Sequence, residues 1–336
     1  MNIEYGGLEM RAVVMSEPAS GPDRTKVREV EVPHPGPGHV SIEVAYAGIN
    51  FIDVMARRGD PGYVPAWPYV PGLEVAGTIR ELGAGVTSLA AGQQVAAFTR
   101  GGGLAEVAVA DVALVVPVPP GVALRMAAAA PLMLSTAMLL LRDVARIRPG
   151  ESVLMHSASG GLGTAVAQLA PVLGAGLSVG TVSRPEKADT ARQAGWQLAV
   201  TRDARLTETV RAAADGGIDV ILDPLGTVLL EDDLDLAAPG GRIVLFGNPG
   251  GGQPGPLPPL ARLIGGNVAL AGFSMSRLTA TSPGRAAAAL QSALDLLAGK
   301  QLDMAVTEVP SLDEVPGVHQ LLAEGRGQGK YVAAAR

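Results

Sequence analysis

Residues 152–163 read SVLMHSASGGLG. A short apolar run goes straight into Gly160, Gly161 and Gly163, a small-residue helical pattern follows to 173, and a second apolar run covers 177–182. Strand, glycine turn, helix and strand in that order constrain this chain more than any other segment does. The glycines permit a tight turn and let backbone N–H groups approach a pyrophosphate, while the helix start adds the positive end of its dipole. Ser159, Gly160, Gly161, Leu162 and Gly163 are therefore the candidate dinucleotide-binding turn. A tight strand–helix turn with no ligand is the alternative at this point.

The rhythm around that turn sets the fold class. From about residue 130 onward, strand-like runs at 152–156, 177–182, 198–201, 218–222, 243–246 and 268–273 alternate with helical patterns at 160–173, 185–195, 206–214 and near 227–238. Such alternation of buried strands with helices predicts a doubly wound parallel sheet. The first third differs. Short runs at 12–15, 27–32, 40–47, 75–82, 94–98 and 104–110 are punctuated by Gly, Pro and Asp, the pattern of an antiparallel barrel or sandwich. The one clear helical pattern there is 50–58. The tail carries helical segments at 284–298 and 312–324 and a final strand at 330–334. A Gly/Pro-rich loop covers 248–259, and there is no internal repeat.

At 336 residues the chain is long enough for two domains. A net charge of −6 argues against a nucleic-acid surface, which needs clustered Lys and Arg. The chain has no Cys and four His, which excludes disulfides, zinc ribbons, iron–sulfur clusters and thiol nucleophiles. The opening MNIEYGGLEMR has no basic and then apolar targeting pattern. The apolar stretch 126–141 contains Pro131 and is too short to span a bilayer, so it reads as buried core. The expectation is a soluble cytoplasmic protein.

The end of the second strand bears on which dinucleotide binds. An acidic residue about 20 positions past the glycines would hold a ribose 2′-hydroxyl. Here the residues are Ser183, Arg184, Pro185, Glu186 and Lys187, with Arg202 following the third strand. A hydroxyl and cations suit a 2′-phosphate, which favours NADPH over NADH. Each cation taken alone could instead be a solvated surface charge, and Glu186 belongs to the following helix.

AGINFIDVMARRG (47–59), VPGLEVAGTI (70–79), SASGGLG (157–163), GTVSRPEKADTARQAGW (180–196) and FGNPGG (246–251) together resemble the zinc-independent quinone oxidoreductase and enoyl reductase branch of the medium-chain dehydrogenase/reductases. The resemblance covers nearly the whole chain. It implies an α/β protein with a GroES-like β-barrel catalytic domain (1–133), a Rossmann-type NADPH-binding domain (134–274) and a return to the first domain (275–336). The zinc branch places its metal ligands where this chain has Asn50, Leu73 and a position near Leu132. A GGG turn, 101–103, stands in place of a four-Cys lobe. Without a Lewis acid, alcohol oxidation is disfavoured and conjugate reduction of a quinone, enone or enoyl thioester remains.

The same resemblance assigns site residues. Asn50 would contact the nicotinamide ribose or amide; a helix N-cap is its other reading. Thr136 resembles a cofactor-contacting Thr at the start of the domain-linking helix. The loops 223–226, with Leu225, and 246–248 (Phe246, Gly247, Asn248) fall at carboxyl ends of parallel strands, with Phe273 at the end of the last strand-like run. Lys330 matches a position that reaches cofactor phosphates, an edge-strand charge being the alternative. Tyr63 is the candidate proton donor, although GDPGY departs from a shorter GxY and Met55 replaces a second Tyr; protonation by solvent or the ribose hydroxyl, with Tyr63 in a packing role, is the alternative. His156 reads as a satisfied core histidine, Glu74 as structural, His34 and His39 as solvated, and His319 as lying on a polar tail helix. The strand at 268–273 resembles the family's dimer-edge strand and implies a homodimer, an internal edge strand covered by the tail being the alternative. A metal-free carbonyl or alcohol dehydrogenase and a non-catalytic NADPH-binding protein remain as alternatives.

Overall fold

The computed structural model describes residues 8–336; the segment MNIEYGG, which opens the stretch read as lacking a targeting pattern, lies outside the described residues. The chain forms two units. One takes the residues up to 132 with 281–298 and 306–336, and the other takes 133–280 with 299–305. The chain thus stays with the second unit past residue 274, through most of the helix Met275–Thr281, and returns to it briefly at 299–305.

In the first unit β1 (Glu9–Met15) pairs antiparallel with β2 (Thr25–Glu31). The larger sheet uses β3 (His39–Ile49), β4 (Glu74–Leu82), β5 (Gln94–Phe98), β6 (Val107–Asp111) and β7 (Val115–Pro117), joined near the chain's end by β14 (Val306–Val309) and β15 (Lys330–Ala334). Its order is β14-β15-β3-β4-β5-β7, with β6 also on β3. All pairings are antiparallel except β14 with β15. Alternate residues Val40, Ile42 and Val44 of β3 pack with Val75 and Ile79 of β4 into one apolar core. Burying each such side chain contributes roughly 1.5–3 kcal/mol. The register also brings the carboxyl end of β3 beside the first residues of β4 and β15, since Ala47 pairs with Val75 and Ile49 with Tyr331.

The second unit contains β8 (Val153–His156), β9 (Ser178–Val182), β10 (Leu198–Thr201), β11 (Ile218–Asp223), β12 (Ala237–Leu245) and β13 (Ala269–Gly272). All run parallel in the order β10-β9-β8-β11-β12-β13. The strand order reverses between β8 and β11, the switch point where ligands bind outside the carboxyl ends of such sheets. The central strands β8, β9 and β11 are buried on both faces, which explains why their apolar runs are continuous and not alternating, whereas the edge strands β10 and β13 are partly exposed.

Several elements had no clear sequence signal, the helix Met275–Thr281 among them. β7 has three residues, β14 is half exposed, and the helix Leu260–Gly266 has no buried residue to give it an apolar face. The apolar stretch 126–141 is buried core, as its sequence suggested, but the helix that holds it is longer than expected. It belongs to a helical stretch of 21 residues, Leu124–Val144, long and apolar enough by length to cross a membrane, but 72% of its apolar window is buried inside the protein. Pro131 does not end it, because a π-turn at Ala130–Leu134 accommodates the missing N–H. Thr136 consequently lies well inside this helix, and is buried, instead of standing at its start.

Candidate active site

The glycine turn follows β8 directly. Gly160 is the N-cap of the helix Gly161–Val172, so the backbone N–H groups of Gly161, Leu162 and Gly163 form its first turn. A Cβ at Gly163 would lie 2.5 Å from the Ala158 carbonyl oxygen, so only Gly lets the helix start this close to the preceding strand. Ser157 adopts a left-handed conformation (φ 60°), and Ser159 is buried. The Trp196 indole nitrogen donates to the Ala158 carbonyl at 3.2 Å and supports the turn from below.

Ser183 and Arg184 are exposed just past β9, and Lys187 is buried in the short turn Pro185–Lys187. Burial lowers the Lys187 ammonium's pKa, and the charges of Arg184 and Arg202 lower it further. Three cations therefore share one region, which is unfavourable for them alone and favourable for a bound anion. Arg202 is half-buried and directs one guanidinium nitrogen to Thr181, at 3.3 Å from the hydroxyl.

The remaining loops at the carboxyl edge are tied together. Phe246 N–H donates to the Asp223 carbonyl, and Phe273 N–H to the Leu245 carbonyl. Leu225 N–H donates to Asp223 Oδ1 at 2.6 Å, and Asn248 Nδ2 to the Gly252 carbonyl at 2.9 Å. A Cβ at Gly247 would meet the Pro224 carbonyl at 2.4 Å, so the two loops touch through backbone. Leu225, Phe246, Gly247, Asn248 and Phe273 are thus gathered along the ends of β11, β12 and β13. Beneath them lies a buried polar network that sequence reasoning did not anticipate beyond His156. His156 bonds Thr181 Oγ1 at 2.7 Å and Asp233 Oδ1 at 2.8 Å, and Asp233 and Asp223 bond one another. Burial pushes Asp223 up to about 7 and Asp233 up to about 8, and holds His156 down to about 4.

In the first unit, Asn50 occupies the N-cap position of the helix Phe51–Arg58, and the Asp53 carboxylate accepts the Asn50 backbone N–H at 2.8 Å. The Asn50 side chain donates to Glu74 Oε1 at 2.7 Å and accepts from Lys330 Nζ at 2.6 Å. Lys330 also donates to the Ile49 carbonyl at 3.2 Å and to Glu74. All three ammonium hydrogens are engaged within this unit, so none remains for the phosphate contact expected of Lys330. Burial pushes Asp53 up to about 7. Tyr63 is half-buried, and burial, with the Asp60 charge, raises its hydroxyl pKa and keeps it protonated. His319 corrects the expectation of a polar tail helix. It is fully buried, 3.9 Å from Asp53, and burial lowers it to about 3. A lone acid in VPGLEVAGTI was the one sequence signal for the Glu74 cluster.

A catalytic zinc does not fit these residues. Leu73 and Leu132 offer no side-chain donor, and the Asn50 amide and Glu74 carboxylate are engaged with a buried ammonium. Among the described residues no group of three His, Cys, Asp or Glu is arranged to hold a metal ion. The glycine turn and the cation group do fit a phosphorylated dinucleotide.

Comparisons with known proteins agree with this architecture. Residues 36–120 match the alcohol dehydrogenase GroES-like domain, and residues 161–298 match the zinc-binding dehydrogenase domain. The chain is 35% identical over 297 residues to the spectinabilin polyketide synthase system protein NorB of Streptomyces orinoci, covering 88% of this chain but 13% of NorB. It is 34% identical over 249 residues to a 2-haloacrylate reductase of Burkholderia, covering 72% of this chain and 74% of that one. It is 32% identical over 330 residues to mouse quinone oxidoreductase, covering 96% and 97%. The crystal structure of Escherichia coli quinone oxidoreductase complexed with NADPH superposes with a TM-score of 0.85 at 26% identity, covering 96% of this chain and 99% of that one. On the strength of a GroES-like unit, a Rossmann-type unit and full-length relatives, the chain belongs to the medium-chain dehydrogenase/reductases and is quinone oxidoreductase-like.

Proposed function

We propose that the chain is an NADPH-dependent, zinc-independent oxidoreductase that reduces an activated C=C bond or a quinone. The observation that carries this reading is the cation group of Arg184, Lys187 and Arg202 beyond β9, together with Ser183, where an NADH site would place an acid. The glycine turn supplies the N–H donors for the pyrophosphate. Bound NADPH supplies a hydride. The NADPH complex of the E. coli structural neighbour and the reductase relatives support the cofactor and the reaction class.

Hydride addition to the β-carbon of an enone leaves an enolate that must gain a proton. Tyr63, held protonated, is the proposed donor, and Asn50 the proposed polar contact at the reacting end. Leu73 and Leu132 leave a zinc without ligands, so the acceptor must carry its own activation. The test is NADPH oxidation with an enone, a quinone and a simple ketone. Turnover of the enone or quinone is expected; turnover of the ketone alone would overturn the proposal.

The partner proposed is a second copy of the chain. β13 ends the six-stranded sheet and leaves one edge unpaired among the described residues. Beside it the helix Leu260–Gly266 exposes Leu260 and Ile264 one turn apart, at 69% and 67%. An open edge next to an exposed apolar face suits association.

A further inference from the structure

We propose that Lys330 is a positioning residue that, together with Glu74, fixes the orientation of the Asn50 carboxamide, and that it acts in the reaction through Asn50 and not on a cofactor phosphate. The inference rests on the reading that Asn50 serves the reacting end. Lys330 opens β15 and Glu74 opens β4, and both strands flank β3, which delivers Asn50. Strand register therefore brings together three residues separated by 24 and 280 positions.

The chemistry of the partners leaves one arrangement. An ammonium only donates and an ionised carboxylate only accepts. Lys330 must face Asn50 Oδ1, as it does at 2.6 Å, and Glu74 must face Nδ2, as it does at 2.7 Å. A flipped amide would oppose donor to donor and acceptor to acceptor. The other Glu74 oxygen accepts Leu132 N–H at 2.7 Å, which anchors the carboxylate. Glu74 is fully buried and Lys330 is 3% exposed, so water cannot replace either partner cheaply.

Gly48 is a further sign that the arrangement is built. A Cβ there would lie 2.2 Å from Glu74 Oε1, so the glycine leaves the room the carboxylate occupies. With Lys330 and Glu74 in place, the second N–H of Asn50 is held only by a 3.4 Å contact to the Gly48 carbonyl. That weakly held N–H is the group Asn50 has left to offer a ligand.

The chain has four asparagines, Asn2, Asn50, Asn248 and Asn267, so selective 15N-asparagine labelling resolves the Asn50 side-chain amide, identified by its loss in Asn50→Ala. Lys330→Met is expected to shift that resonance pair and shrink the difference between its two protons. It is also expected to lower kcat at least about tenfold while NADPH Kd stays within about twofold, and to add nothing to Asn50→Ala. An unmoved Asn50 amide, a Kd weakened about tenfold with kcat kept, or a further loss in the Asn50→Ala/Lys330→Met double variant would overturn the proposal. If Lys330→Met does not fold, Glu74→Gln/Lys330→Met removes both charges together and is read by the same criteria. If the wild-type chain turns over no acceptor, the functional reading fails, while the amide resonance still decides the orientation.

Discussion

His156 Nε2 lies 2.8 Å from Asp233 Oδ1, and both side chains are completely buried. The Asp233 side chain also bonds that of Asp223, and the remaining oxygen of each carboxyl, Oδ2, has no other donor. Burial is the main reason each carboxyl keeps its proton, at pKa values of about 7 for Asp223 and about 8 for Asp233. Each carboxyl binds its proton more tightly folded than unfolded. The stability it contributes is complete below the ordinary carboxylate range and is lost as pH rises through 7 to 8. His156, lowered to about 4, acts oppositely, but only between about 4 and its ordinary 6.5. Between pH 6.5 and 8.5 the carboxyls, with Asp53 adding in the same direction, set the slope. Thermal unfolding temperature should fall over that interval, each excess proton accounting for at most about 1.4 kcal/mol per pH unit. Asp233→Asn, which cannot ionise, should flatten the decline. Parallel curves for the two proteins would show that Asp233 carries no proton there.

Cofactor choice depends on the cations beyond β9. Charge reversal, Arg184→Glu with Lys187→Glu, is expected to weaken NADPH at least about tenfold, because charge-assisted bonds to phosphate contribute about 1.5–3 kcal/mol. NADH affinity should change far less, since it lacks the 2′-phosphate. Fluorescence titration with both nucleotides measures the ratio. Equal losses would place these side chains away from the 2′ position.

The second unit was largely readable from sequence because its strands are short, continuous and apolar, and the Gly160–Gly163 turn marks where the sheet begins. The polar clusters were not readable in the same way. Lys330 and Asn50 are 280 positions apart, and only the pairing of β15 with β3 brings them together. Nothing local tells that Lys330 is buried, so an edge-strand or phosphate-facing charge was the natural reading. Asp233 lies in an acidic run, LEDDLDL, where one carboxylate points inward and its neighbours face solvent. His319 is equally opaque, since its helix buries only Val315 and His319. The helix Leu124–Val144 was hidden by Pro131, whose usual effect is to end a helix.

The start of the nucleotide helix tolerates no side chain. A Cβ at Gly163 would meet Ala158 O at 2.5 Å, Ala158 C at 2.6 Å and Ser157 O at 2.6 Å, all of them backbone atoms. Gly163→Ala must therefore displace the turn. Stability should fall by roughly 1–3 kcal/mol, as for other overpacked sites. NADPH affinity should fall as well, because the N–H groups of the turn move with it. Gly160→Ala is the control for stability alone, since its nearest protein contact there is 3.4 Å. Comparable losses of stability at both positions would mean that space at Gly163 is not the cause.

Association through the sheet edge makes a separate demand on the second unit. Leu260 and Ile264 lie one helical turn apart and expose 69% and 67% of their surface. Leu257, just before the helix, is 67% exposed. Leu263 of this helix packs against the unit's own core, whereas Leu260 and Ile264 have no such partner within the described residues. β13 next to it runs Ala269–Gly272 and offers unpaired backbone donors and acceptors. Two copies meeting edge to edge would pair those groups and cover both leucines and the isoleucine at once. Burying one such side chain contributes roughly 1.5–3 kcal/mol, and each counts twice in a symmetric interface. Leu260→Asp with Ile264→Asp should therefore convert a dimer to a monomer in light scattering, without lowering the stability of the unit itself by more than about 0.5 kcal/mol per substitution, because the sites are exposed. A wild-type chain that is monomeric at micromolar concentration, or a double variant that stays dimeric, would remove this face from the assembly.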